Sequence, residues 1–174
     1  TAYPKPHHLL TTGNEIEVPS AETSGEAEFV LLPGDDGTFV GVGSDHTDRG
    51  LEEESIVLSK TVCPNVMSES VWRFSDVQDH WDDVELRSFT SRDPDRSPYQ
   101  TATLESIRTP TELLDLTEDW ITEPVTGTAI FSGSVGTETE TLIYSDYFEA
   151  TLYDPVLDRS LTAAYKVRKL DWVA

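Results

Sequence analysis

Three acidic residues, Glu26, Glu28 and Asp45, have the type and spacing to hold a hard divalent cation. They lie in GEAEFVLLPGDDGTFVGVGSDHTDR, Gly25 to Arg49, which reads as a β-hairpin turning at Gly34-Asp35-Asp36-Gly37. With the turn symmetric about the Asp35/Asp36 peptide, Leu32 faces Phe39, Val30 faces Gly41, Glu28 faces Gly43 and Glu26 faces Asp45. Period-2 alternation puts Glu26 and Glu28 on one side, and directly opposed Cβ atoms lie about 4.5–5.5 Å apart, so Asp45 joins them. Each bare pair would cost about 3 kcal/mol at an effective dielectric of about 20 and a separation of about 5 Å. Mg²⁺ or Mn²⁺ would neutralise the cluster, accepting carboxylate oxygens and keeping its other octahedral positions for water or substrate oxygens. Gly41 and Gly43 fall on the acids' face and are expected to leave open volume beside Glu28, while Ala27, Phe29, Leu31, Val40 and Val42 pack the other face. The competing reading is a pair of exposed acids at a strand end. Against it stands the apolar character of the strand on both faces beyond Glu28, which implies a buried sheet where unpaired acids are expensive.

The elements that must position this cluster are mostly strands. Strand-like runs occupy 26–32, 38–43, 84–90, 99–107, 128–131, 148–153 and 160–168. Helix signals are fewer: capping boxes at Ser75 with Gln78 and at Thr109 with Glu112, Pro110 opening the second, and a short helix over 51–60. The breaker-rich stretch SRDPDRSP, residues 91–98, reads as a mobile surface loop. The fold class is therefore mainly β with a few helices (α+β). No repeat or Ser/Gly linker divides the 174 residues, so one domain over 1–174 is expected; the start at Thr1, without Met, leaves open whether residues precede it.

The net charge of −21 sits on a chain with enough apolar residues (37%) to build a core, so the acid belongs to a folded surface rather than a disordered tail. Such a surface repels phosphate backbones and anionic lipid, which argues against nucleic-acid and membrane partners. With no signal-like or membrane-length apolar segment, a cytoplasmic location is expected. Only four lysines occur, Lys5, Lys60, Lys166 and Lys169, and acids fill nearly every segment, a composition suited to a salt-adapted (halophilic) proteome. A single cysteine, Cys63, excludes an internal disulfide and a structural zinc site, and it reads as a buried small residue.

At the level of motifs the chain resembles the fumarylacetoacetate hydrolase superfamily. Tyr3-Pro-Lys5-Pro6 is similar to its FxKP block, GEAEF at Gly25–Phe29 to DYExEL, GSDHTDR at Gly43–Arg49 to the GNDVSARD-type motif, and FSGSVG at Phe131–Gly136 to TGTPxGVG, in the same order. Ser59 to Pro64 resembles the lysine-bearing stretch. The wording GSDHTDR is closest to a functionally uncharacterised branch. The resemblance implies the superfamily's layered mixed β-sheet fold, usual dimerisation, and Mg²⁺ or Mn²⁺ on Glu26, Glu28 and Asp45. It places Arg49 and Lys60 against a small carboxylate substrate, a 2-oxo acid or β-dicarbonyl. Ser134 matches a substrate-binding Thr, with Gly133 and Gly136 opening backbone amides to a carboxylate and Lys5 in the first block. Open alternatives are a surface cation for Lys60, a salt bridge to Asp48 or Glu52–Glu54 for Arg49, and an ordinary turn for GSVG.

The family's NYxxHxxE acid–base segment has no counterpart here. His46 is the nearest replacement as a catalytic acid or base, although alternation points it away from Asp45. His7 and His8 read as exposed, His80 as structural. The expected activity is metal-dependent hydrolysis of a C–C bond or related lyase chemistry. An isomerase or dehydratase, and a noncatalytic metabolite-binding member, are the alternatives.

Overall fold

The structure, a computed structural model, describes residues 2–91 and 96–171. In chain order the strands are β1 (Leu10–Thr11), β2 (Glu15–Val18), β3 (Thr23–Ser24), β4 (Ala27–Gly34), β5 (Gly37–Asp45), β6 (Thr47–Asp48), β7 (Asn65–Met67), β8 (Trp72–Arg73), β9 (Glu85–Phe89), β10 (Pro98–Thr103), β11 (Ile130–Phe131), β12 (Tyr147–Asp154) and β13 (Arg159–Lys169). Three α-helices, α1 (Arg49–Glu52), α2 (Ile56–Thr61) and α3 (Pro110–Trp120), and short 3₁₀ turns complete the described chain. Each of the seven strand-like runs contains a strand, although the run 99–107 passes into a 3₁₀ turn at Leu104–Ser106 and only Ile130–Phe131 of 128–131 pair, and the mainly β class is confirmed. Part of the loop expected over Ser91–Pro98, residues 92–95, lies outside the described residues.

The strands form two mixed sheets and a small antiparallel pair, β3 with β6. One runs β1-β7-β5-β4-β11, with β8 also on β5; the other runs β10-β9-β12-β13-β2. The parallel pairs are β1 with β7 and β2 with β13. The β4–β5 hairpin has the register calculated from its turn, with Glu28 opposite Gly43 and Leu32 opposite Phe39. Asp45 N donates to the Glu26 carbonyl at 3.0 Å, extending that register to the acids. The core lies between the sheets: Phe29, Leu31, Val40 and Val42 meet Leu86, Leu152, Leu161 and Tyr165. Residues 27–31 are buried on both faces of β4, which explains its near-continuous apolar run. Trp81 closes one end of the core, edge-on to Phe29 at a centroid distance of 5.0 Å.

Two local expectations fail for physical reasons. The Ser75 capping box does not form, because the chain there makes two 3₁₀ turns, Phe74–Asp76 and Gln78–Asp83, and neither has a side-chain cap. The volume expected beside Gly41 and Gly43 is filled: a Cβ on Gly43 would lie 2.5 Å from the Val66 carbonyl oxygen and 2.8 Å from the Phe131 ring. The glycine admits a neighbouring strand and an aromatic ring, not a ligand. By contrast the Thr109–Glu112 box forms in full at the start of α3, with Pro110 in its first turn.

Candidate metal centre

The hairpin delivers the three acids as its register requires. Carboxylate oxygens of Glu26, Glu28 and Asp45 all lie within 4.8 Å of one another. Asp45 ends β5, and β7 pairs beside it with Asn65 opposite. Beyond Asp45 the chain turns through β6 into α1, whose N-cap Asp48 accepts from Leu51 N at 3.1 Å. Asp48 is therefore a helix cap, and Arg49 opens the helix facing back toward the acids.

Three cations converge on the cluster from separate segments. Lys60, in the last turn of α2, donates from Nζ to Asp45 Oδ2 at 2.6 Å and to Glu26 Oε2 at 2.9 Å. Arg49 pairs with Glu26 Oε1 at 3.2 Å and Glu52 Oε2 at 2.8 Å, and donates from Nε to Ser24 Oγ at 2.7 Å. Lys5 Nζ donates to Asp45 Oδ1 at 3.1 Å and also to Asn65 Oδ1. The two carboxylates nearest solvent are thus matched by fixed charge. Burial opposes the charge on Lys60, yet Asp45 and Glu26 outweigh it and raise its pKa, so the ammonium stays protonated. For Arg49 too, Glu26 and Glu52 outweigh burial. At Lys5 burial wins, and its pKa falls despite Asp45.

Glu28 is different. It is 4% exposed, accepts from Gly133 N at 3.0 Å, and makes no ion pair among the described residues. Burial, reinforced by Asp45, pushes its carboxyl up to about 8. A divalent cation is the partner this arrangement suits: three hard oxygen donors converge, and one of them is a buried carboxyl that needs positive charge to ionise near neutrality.

The FSGSVG loop reaches the centre through its backbone. Gly133, at φ +94°, aims its N–H at Glu28, a backbone conformation glycine adopts readily. The amide expected to meet a substrate carboxylate is therefore engaged by the protein's own. Ser134 and Gly136 are exposed; Ser134 Oγ accepts from Gln100 Nε2 at 2.7 Å.

The catalytic role expected of His46 does not fit its position. It is 1% exposed, with Nδ1 2.9 Å from the Tyr165 hydroxyl and Nε2 3.0 Å from Thr23 Oγ1. Tyr165 in turn donates to Ser44 Oγ at 2.8 Å, and Ser44 Oγ accepts from Glu26 N at 3.2 Å. Burial, with Arg49 and Lys5 nearby, brings its pKa down to about 3, so the ring is neutral and neither nitrogen is left to meet a substrate. Cys63 is buried as expected, its thiol pushed up to about 12 by burial. His80 bonds Asp154 at 2.9 Å, a structural contact at the β12–β13 turn.

Sequence reading missed Asn65, Thr47 and Gln100. Thr47 is buried beside the acids, its hydroxyl 3.4 Å from Lys60 Nζ. Asn65 and Gln100 carried no local signal, because each acts on residues far from it in sequence, whereas Thr47 sits inside the GSDHTDR motif and donates to the Asp45 carbonyl two residues back.

The chain belongs to the family described as Protein of unknown function (DUF2848), whose pattern matches residues 1–165. Comparison with curated proteins gives no match. Among solved structures, the crystal structure of Cg1458 superposes with TM-score 0.69 at 17% identity, over 95% of this chain and 69% of that one. A structure of 2-keto-3-deoxy-D-arabinonate dehydratase complexed with magnesium and 2,5-dioxopentanoate gives TM-score 0.72 at 15% identity, over 97% of this chain and 62% of that one. The chain therefore spans less than two-thirds of the dehydratase. The shared feature is the fold, the layered mixed-sheet architecture implied by the motif resemblance.

Proposed function

We propose that the chain is the metal-binding domain of a divalent-cation-dependent enzyme acting on a small 2-oxo acid or β-dicarbonyl carboxylate. The observation that carries this reading is the convergence of Glu26, Glu28 and Asp45 within 4.8 Å, ringed by Lys5, Arg49 and Lys60. The motif resemblance to the fumarylacetoacetate hydrolase superfamily supports it, as does the shared fold with a dehydratase complexed with magnesium and a dioxo compound.

A cation held by the three carboxylates, Mg²⁺ or Mn²⁺, supplies Lewis acidity toward the oxygens of such a substrate. The chain's own groups do the rest. Lys60 and Arg49, held charged by the acids, set a fixed positive field where an enolate oxygen would develop. Ser134 and Gly136, exposed on the loop that reaches Glu28, are assigned to the substrate carboxylate with Lys5. Gly133 orients Glu28 instead.

The reading covers two branches, hydrolytic C–C cleavage and enolisation followed by elimination, and each needs a base other than His46. His46, beside Asp45 in sequence, has both ring nitrogens engaged by hydroxyls and does not activate water. The test is a panel of 3-deoxy-2-oxo acids and acylpyruvates with Mg²⁺ or Mn²⁺, followed by proton NMR. Water loss from a 3-deoxy-2-oxo acid that disappears in Glu26→Gln and Asp45→Asn supports the reading. Acylpyruvate cleavage alone selects the hydrolase branch, and tight binding without turnover across the panel selects a noncatalytic member.

A further inference from the structure

Gln100 is a buried amide that joins the second sheet, the acid-bearing strand and the FSGSVG loop at a single point. It is 1% exposed, on β10 of the sheet that carries none of the three acids. Its Oε1 accepts from Ala27 N at 3.0 Å and from Ser88 Oγ at 2.8 Å. Its Nε2 donates to Ser134 Oγ and to the Val135 carbonyl, both at 2.7 Å. The amide's orientation is not interchangeable: the Ala27 N–H only donates and the Val135 carbonyl only accepts. All four hydrogen-bonding positions of the side chain are thus used, at a site closed to water.

What those four partners are is informative. Ala27 is the residue between Glu26 and Glu28. Ser134 and Val135 directly follow Gly133, whose N–H meets Glu28. The loop's ends are tied elsewhere, Ser132 N to the Phe29 carbonyl at 3.1 Å and Glu138 N to the Tyr99 carbonyl at 2.8 Å. Between those ends Gln100 holds the loop's middle, which is otherwise exposed at Gly133, Ser134 and Gly136.

We propose that Gln100 is a positioning residue, which clamps the Ser132–Gly136 loop to the strand of Glu26 and Glu28 and so sets the Gly133–Glu28 contact. Its consequence for metal affinity rests on the functional reading above; the clamp itself does not. Gln100→Glu separates the two halves of the amide. A carboxylate still accepts from Ala27 and Ser88, so the sheet keeps its bonds. It has no donor for the Val135 carbonyl and sets a negative oxygen against it, so the loop is released there even if the Ser134 hydroxyl turns to donate. Gln100→Asn, one methylene shorter, reaches one side only and serves as the uncharged second variant.

Amide deuterium exchange of the metal-free protein by NMR is the primary readout, with Mn²⁺ titration beside it. Exchange at Gly133 should accelerate at least tenfold in both variants, while Phe29 and Val42 amides in the sheet stay within about twofold of wild type. Mn²⁺ affinity should fall about tenfold in Gln100→Glu, although the added negative charge by itself would tighten it. Unchanged Gly133 exchange overturns the proposal, and so does acceleration spread evenly through β4, β5 and β10, the signature of a merely structural role. A wild-type protein that binds no Mn²⁺ overturns the metal reading while leaving the Gly133 result to judge the clamp.

Discussion

The Lys60 ammonium bridges Asp45 and Glu26, 2.6 Å from one carboxylate and 2.9 Å from the other, across the two strands of a single hairpin. With Arg49 and Lys5 it makes the carboxylate cluster tolerable in a folded chain before any cation binds, while Glu28 has, among the described residues, an amide donor and no cation. Charge is balanced at the mouth and left open at the deepest ligand.

Removing Lys60 should therefore destabilise the apo protein by about 2–3 kcal/mol, somewhat below the cost of breaking a fully buried pair because the groups are partly exposed. Thermal melts of Lys60→Met without divalent cation check this. If Lys60 serves to balance the cluster, Lys60→Met binds Mg²⁺ more tightly than the wild type, so one fixed Mg²⁺ concentration stabilises the variant more and the deficit shrinks. A deficit that persists at saturating Mg²⁺ would show that Lys60 braces the fold rather than the cluster.

Glu28 and His46 predict opposite pH trends. The Glu28 carboxyl is raised to about 8 in the folded chain, so the native state holds a proton that the unfolded chain releases near 4.5, and apo stability falls as pH rises between those values. His46 is lowered to about 3 from 6.5, so its contribution is complete above 6.5 and is lost as pH falls toward 3. Of these two groups only Glu28 titrates between pH 6.5 and 8. There its slope approaches about 1.4 kcal/mol per pH unit at most, and Glu28→Gln should remove that slope in urea unfolding of chelator-treated protein. An identical slope in the variant would refute the assignment.

His46 should behave as a structural residue. His46→Ala loses two buried hydrogen bonds and leaves a cavity beside Tyr165, a cost of about 2–4 kcal/mol. Well below its melting temperature the variant should keep its divalent-cation affinity within about threefold.

At Gly43 the added Cβ of Gly43→Ala would press on the Val66 carbonyl and the Phe131 ring. Overpacking there should cost about 3 kcal/mol, whereas Gly136→Ala, where a Cβ meets nothing within 4 Å, should be close to neutral in stability. Equal melting temperatures for the two variants would contradict the packing described around β5.

The hairpin was legible because a symmetric turn and a two-residue period determine every pairing from Ala27 to Ser44, and the convergence of the acids follows. The long strands were legible from the same period. Strands of two or three residues such as β3, β6 and β8 carry too few side chains to show one. Lys60 and Arg49 could be placed near the acids by motif, but their partners are set by where α1 and α2 fold back. Gln100 was silent, because a glutamine in an alternating strand looks the same whether it faces water or four buried partners. The glycines misled: absence of a side chain signals close approach as readily as open space.

Calorimetric titration of Mg²⁺ and Mn²⁺ into chelator-treated protein at high monovalent salt, with Glu26→Gln beside it, tests the central claim most directly. Salt suppresses diffuse binding to a surface of net charge −21. A single stoichiometric site that is lost in the variant is the predicted result. No saturable site in the wild type, or one that survives the substitution, would contradict a carboxylate metal centre at Glu26, Glu28 and Asp45.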